Sequence, residues 1–413
     1  MRTHIAVSAL LIAASLFATA QGPAASTPSG QHDAIQSYLQ PLVDNHTIAG
    51  AVTLVSTKDR TIYLEAAGFR DLSATAPMPP DALFWIASTS KPMTVTALMM
   101  LVDEGKVNLD DPVEKYLPEF KGQMVDLSHA DSSHHAQGAP GAQNSPQLVP
   151  ANHPILVREI LSHTSGLPFK SRAQPGALDL LSLKDSVRSF AAEPLIFQPN
   201  TDYRYSNEGI DTAARIIEVV SGIPYEQFMQ ERLFNPLGMK DTTFWPSAEQ
   251  IQRLAKTYKL DAQSKALMEL PVSQLTYPLD DRQHRYPMPA GGLFSTAEDV
   301  SKFCRMILNG GVVDGKRYIS ANALQDMTSR QNGGMGGTSY GFGWSVSPTG
   351  MGHGGAFKNA MEIDKVKGRI LVFMVQQDGA WGTPEGNAIV STLQRLADDM
   401  VASHATPDAA TGR

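Results

Sequence analysis

Cysteine is nearly missing from this chain of 413 residues: Cys304 is the single example. No disulfide can therefore form within one chain, even in an oxidising compartment. Cys304 lies in the amphipathic stretch from Val300 to Leu308, where a buried structural thiol is expected rather than a nucleophile. Charge is also sparse, at 18% of residues with a net of −7, and no run of like charges occurs. Without a basic stripe to neutralise phosphates, nucleic acid is excluded as an expected partner. After the first twenty residues no apolar run is long enough to span a bilayer. No His-Glu-x-x-His or comparable ligand spacing is present, so neither a metal nor another cofactor is expected.

What is present is ordinary globular material, 42% hydrophobic and long enough for one large domain or two lobes. The first twenty residues read as a secretory signal, with Arg2 as the positive end, an apolar run from Ile5 to Phe17, and Ala18-Thr19-Ala20 as the small-x-small cleavage pattern. The apolar run is short for a membrane anchor. An exported, periplasmic or secreted protein is therefore expected, with no stable membrane insertion after cleavage. Residues 21–30 read as a disordered leader and 404–413 as a disordered tail.

Along the chain, strands are expected at Ala49 to Val55 and Thr61 to Ala67, and a helix from Ser88 to about Gly105. Helical signals recur at Ile155 to Leu161, Ile210 to Val220, Tyr225 to Leu233 and from Thr296 to Leu308. Strand patterns return at Gly341 to Val346, Asn359 to Asp364 and Arg369 to Val375, before a closing helix from Asn387 to Val401. Residues 121–152 contain a polar, glycine- and histidine-rich stretch that cannot bury enough surface to order itself. Its His129, His134 and His135 are read as solvated rather than metal-binding.

The order of elements implies an α+β fold with two lobes. Strands from both ends form one antiparallel sheet flanked by helices (residues 31–115 and 290–403), and residues 116–289 form a mostly helical lobe. Together these make a single catalytic domain, 31–403, with a cleft between the lobes.

Three short patterns carry chemistry. In Ser88-Thr89-Ser90-Lys91, a serine opening a helix has Lys91 one turn on, on the same face, where an amine can take the hydroxyl proton. In Tyr205-Ser206-Asn207, a phenol near an ammonium ionises more easily, and the amide can accept from Lys91 and donate to a substrate carbonyl. In His353-Gly354-Gly355, glycines let a substrate lie along a strand edge. Taken singly, each has a plainer reading: an N-cap serine, a turn with an aromatic residue, a glycine turn with a surface histidine. Each pattern occurs once, and their order places all three on the walls of the inferred cleft.

With these motifs the chain resembles the class C β-lactamase-like serine hydrolases, whose fold is that of β-lactamases and penicillin-binding proteins. The resemblance extends over Ala34 to Val401. It includes Leu161-Ser162-His163-Thr164-Ser165-Gly166-Leu167, Pro289 to Thr296, and Val107 to Phe120 with Leu109-Asp110-Asp111-Pro112. It implies Ser88 as nucleophile, Lys91 as its proton partner, and Tyr205, oriented with Asn207, as general base. It also implies His353 on the substrate side, an oxyanion hole from the N–H groups of Ser88 and of Ala356, which follows Gly355, and structural roles for His163 and Ser165.

Relatives often carry a lysine where His353 stands and a hydroxyl residue where Gly354 stands. Their absence weakens recognition of a substrate carboxylate on this wall. Small esters or D-amino-acid amides and peptides are the expected substrates. A β-lactamase or D-alanyl-D-alanine carboxypeptidase is the alternative, and a non-catalytic penicillin-binding sensor or a metallohydrolase is a reading of another class. The sequence leaves the oligomeric state open.

Overall fold

A computed structural model of the chain describes residues 29–129, 147–173, 177–261, 263–264, 266–272 and 274–405. The expected signal and leader up to residue 28, and the tail from residue 406, lie outside these. So do residues 130–146, with His134 and His135.

Among the described residues the main sheet has seven strands: β1 (Gly50–Ser56), β2 (Thr61–Asp71), β3 (Ala76–Pro77), β4 (Ser345–Val346), β5 (Gly350–Gly354), β6 (Ala360–Asp364) and β7 (Arg369–Val375). Their spatial order is β4-β5-β6-β7-β1-β2-β3, antiparallel throughout. Early and late segments thus meet in the middle, where Ala51 faces Val375 and Val55 faces Leu371.

Alternation along the two central strands builds two cores. Val52, Leu54, Ile370, Val372 and Met374 face one side, while Ala51, Val55, Leu371, Phe373 and Val375 face the other. Helices α1 (Ser29–Asp44) and, at the chain's end, Ile389–Ala405 cover the second side through Ile35, Leu39, Leu393 and Met400. Helix Ala297–Leu308 covers the first through Val300, Phe303 and Cys304. Each such aliphatic or aromatic side chain contributes on the order of 1.5–3 kcal/mol on burial. Cys304 is buried, and burial pushes its thiol up, so it is an inert core residue.

Helix α2 (Ser90–Asp103) is buried on every side from Ser90 to Leu101, which marks it as a central helix rather than a surface one. It packs against helix α3 (Asn207–Ser221). Pro92 lies in its first turn, where a missing N–H costs nothing.

Several elements differ from expectation. The 121–152 stretch is not loop throughout, because Met124–Asp126 pairs with Leu148–Pro150. Strand β5 escaped notice because three of its five residues are glycine. Gly341 to Gly343 are not strand, and only Ser345–Val346 is. A helix at Leu183–Ala191 was also missed, although Ser182 caps it by accepting from Asp185 N–H.

Candidate active site

Ser88 does not open the long helix. It sits in a single 3₁₀ turn, Ala87–Thr89, immediately before α2, where a first-turn N–H has no partner within the turn. The preceding Ala87 has φ 45°, a left-handed conformation that costs an L-residue roughly 1–2 kcal/mol. That strain turns the chain sharply from the strand pair Phe84–Trp85/Phe294–Ser295 into the helix and leaves Ser88 half-buried at the cleft.

Lys91, one turn on, is completely buried. Its Nζ lies 2.7 Å from Asn207 Oδ1, 2.8 Å from Ala290 O and 3.1 Å from Ser88 Oγ. As an ammonium it donates to all three. As a neutral amine it has two N–H groups, which the two closest acceptors occupy, so its lone pair is left facing Ser88. Burial pulls Lys91 down to about 7, opposed by the negative charge of Asp211. Asp211, one turn beyond Asn207 on α3, is itself pushed up by burial while its Oδ1 accepts from Ala290 N–H.

Tyr205 also borders the site: its phenol interacts with the Ser88 hydroxyl. Lys91 Nζ lies 4.6 Å from its ring centroid. The expected easier ionisation is reversed. Burial of the hydroxyl outweighs the opposing pull of the Ser88 hydroxyl and pushes the phenol up, so Tyr205 rests as a neutral donor.

His353 is on β5, paired with Met361, and it is buried. Its Nδ1 lies 2.8 Å from Gly354 O, an atom that can only accept, so Nδ1 carries the hydrogen. Nε2 then accepts from the hydroxyl of Tyr340 at 3.1 Å, with the Tyr205 hydroxyl at 3.5 Å. Burial, helped by the charge on Lys91, holds His353 down at about 3, so it is neutral in any physiological buffer.

Gly355 packs against the backbone two residues before the nucleophile. A Cβ on Gly355 would come within 2.6 Å of Ile86 O, so glycine is needed for internal packing and not only for substrate access. The buried Asn359 amide fixes the turn, donating to Trp85 O at 2.9 Å and accepting from Val375 N–H at 3.1 Å. Ala356 is exposed in that turn, and its N–H donates to no acceptor among the described residues.

His163 accepts from Ser206 N–H at 3.2 Å through Nδ1, and its carbonyl accepts from Arg204 N–H at 3.0 Å. Its ring packs 4.6 Å from that of Tyr205 and 4.7 Å from that of Tyr340. Burial keeps it well below its ordinary range. It braces the Tyr205-Ser206-Asn207 segment from behind.

Four residues of this neighbourhood went unread in the sequence: Asp211, Glu208, Tyr340 and Asn359. Asp211 could have been found, because it follows Asn207 by four residues on one helix face. Glu208 is fully buried with neither carboxylate oxygen hydrogen-bonded, and burial pushes it up to about 9. Among the described residues no cluster of three metal-ligating side chains occurs. The side chains of His129, His134 and His135 are not among those described.

A two-lobed fold with a buried lysine on a cleft serine defines a class of protein, and comparison with known proteins bears on which one. Residues 35–391 match the Beta-lactamase family, and the chain belongs to it. It is 33% identical over 309 residues to Protein Rv1367c of Mycobacterium tuberculosis (strain ATCC 25618 / H37Rv), covering 71% of each chain. It is 28% identical over 364 residues to Esterase EstB of Burkholderia gladioli, covering 81% of this chain and 82% of that one. The D-amino acid amidase of Ochrobactrum anthropi SV3 shares the fold with a TM-score of 0.66 and 23% identity, over 91% of this chain and 99% of that one. Among the described residues no helix is long and apolar enough to cross a membrane.

Proposed function

We propose that this protein hydrolyses small esters or D-amino-acid amides through an acyl-enzyme on Ser88. The observation that carries the reading is Lys91: a buried amine 3.1 Å from Ser88 Oγ, both of whose N–H groups have closer acceptors. Such an amine is a base aimed at one proton.

The steps follow from that geometry. The Ser88 hydroxyl proton passes to Lys91 Nζ as Oγ attacks the substrate carbonyl carbon. The Ser88 and Ala356 N–H groups hold the developing oxyanion, each such donor typically contributing ~3 kcal/mol. The proton returns to the leaving oxygen or nitrogen as its bond to carbon breaks, with neutral Tyr205 relaying between Lys91 and the leaving atom. A water then repeats the sequence on the acyl-enzyme, releasing the acid and restoring Ser88. Asn207, anchored through Oδ1 to Lys91, keeps its NH₂ to donate to an amide or ester carbonyl of the substrate.

The wall opposite supports esters and amides over β-lactams. His353 is neutral and Gly354 has no side chain, so no fixed cation and hydroxyl wait there for a penicillin carboxylate. An esterase among the similar proteins fits the same choice. The amino-terminal pattern of Arg2, an apolar run and Ala18-Thr19-Ala20 supports export. Short-chain p-nitrophenyl esters and D-amino-acid amides should turn over, and Ser88→Ala should abolish it. Nitrocefin hydrolysis at the rate of an efficient enzyme would overturn the ranking.

A further inference from the structure

A pocket near the Ser88 site is lined in part by Phe169. It has a volume of about 310 Å³ and an apolar floor of Pro168, Phe169, Pro194 and Ile196, with Arg204 and Lys170 among its lining cations. Phe169 is 45% exposed. Its ring stacks on that of Tyr205 at 6.3 Å between centroids and 27° between planes. Its carbonyl accepts from Asn207 N–H at 3.3 Å. The pocket is therefore one aromatic ring away from the proton-carrying phenol and is tied to the amide that faces the substrate carbonyl.

The charges of this pocket are unequally engaged. Glu193 is occupied, accepting from Ser171 Oγ and Arg172 N–H and lying 3.9 Å from the Arg172 guanidinium. One oxygen of Asp126 accepts from Ser128 N–H, Ser128 Oγ and Gln147 N–H. Arg204 is held in place by its backbone bond to His163, yet its guanidinium has no carboxylate within ion-pair distance among the described residues. An uncommitted guanidinium over an apolar floor matches an apolar chain that ends in a carboxylate.

We infer that Arg204 and the Phe169 pocket select substrates whose acyl part carries a terminal carboxylate, one apolar spacer away from the scissile carbonyl. The acyl side is indicated by Asn207, whose amide faces the substrate carbonyl and whose backbone is bonded to Phe169. The strand of His353 and Gly354 offers no fixed cation, whereas this pocket offers Arg204. The inference rests on Ser88 being the nucleophile.

The test compares p-nitrophenyl monoesters of dicarboxylic acids, from glutaric to suberic, with uncharged p-nitrophenyl esters of equal chain length. At the best length, the ratio of kcat/KM for the anionic to the neutral ester should fall about tenfold in Arg204→Gln, as loss of one charged hydrogen bond implies. It should fall less in Arg204→Lys, and in the parent it should decline with added salt. A ratio that is the same in the parent and in Arg204→Gln overturns the inference. Calorimetric binding of the monomethyl ester of the same acid to Ser88→Ala, with and without Arg204→Gln, reads the pocket without turnover. A chain that hydrolyses neither ester but binds this ligand through Arg204 contradicts the Ser88 reading and leaves the pocket standing. Equal binding with and without Arg204→Gln sinks the pocket.

Discussion

Lys91 and His353 are both buried bases beside the same serine, and their surroundings differ. Lys91 has two acceptors at 2.7 and 2.8 Å and the carboxyl of Asp211 in the next layer, so it can hold or release a proton near pH 7. His353 has a carbonyl on one nitrogen, phenols on the other and glycines on either side, and burial keeps it neutral down to about pH 3. Identity as a base therefore says little, because the neighbouring acceptors and the burial decide which of the two can work at neutral pH. In the proposed function, proton transfer falls to the Lys91 wall, and the His353 wall gives shape and holds Tyr340.

The sharpest way to break this contrast is Lys91→Met, which keeps the volume and removes the amine. Ester hydrolysis should fall by about 10³-fold or more, comparable to loss of a nucleophile's base elsewhere. A residual rate within tenfold of the parent would place the base somewhere else. Tyr205→Phe comes next. Loss of a positioned proton carrier should cost about 10²–10⁴-fold in kcat, measured under saturating ester.

Asp211→Asn sharpens the comparison by pH. Asp211 raises the Lys91 value, so removing its charge lets Lys91 lose its proton at lower pH. The acid limb of kcat/KM, which rises as Lys91 becomes neutral, should move to lower pH in the variant. His353→Gln should reduce turnover by about tenfold through the loosened Tyr340 contact, yet leave that limb where it was. A limb that vanished with His353 would assign the titration to the wrong wall.

The smallest effect concerns stability. Glu208 is raised from an ordinary 4.5 to about 9, so the folded state holds its proton where the unfolded chain has lost it. Its favourable contribution is complete below pH 4.5 and declines as pH rises towards 9. Glu208→Gln, neutral at every pH, should gain in Tm relative to the parent between pH 5 and pH 9. A constant difference across that range would mean that Glu208 is ionised in the folded protein.

Much of this was legible in the sequence, for definable reasons. The strands from Thr61 and from Arg369 to Val375 were readable because branched and apolar residues dominate them, and the helix after Thr296 because its cap is written in Thr296 and Asp299. Ser88, Lys91, Tyr205 and Asn207 were readable as motifs, and the fold does bring them together. Strand β5 was not readable, since glycines erase the side-chain pattern that marks a strand. Nor was the direction of the Tyr205 shift, because sequence shows its neighbours in the chain and not the burial around its hydroxyl. Asn359 acts through partners far away in sequence, Trp85 among them, and no local pattern announces such contacts.

The most direct test of a Ser88 acyl-enzyme is the intact mass of the protein, acid-quenched milliseconds after mixing with a short-chain p-nitrophenyl ester, beside Ser88→Ala. The account predicts a mass increase of one acyl group on the parent, mapped to the peptide containing Ser88, and none on the variant. An acyl adduct that persists in Ser88→Ala, or steady hydrolysis by that variant, would contradict it.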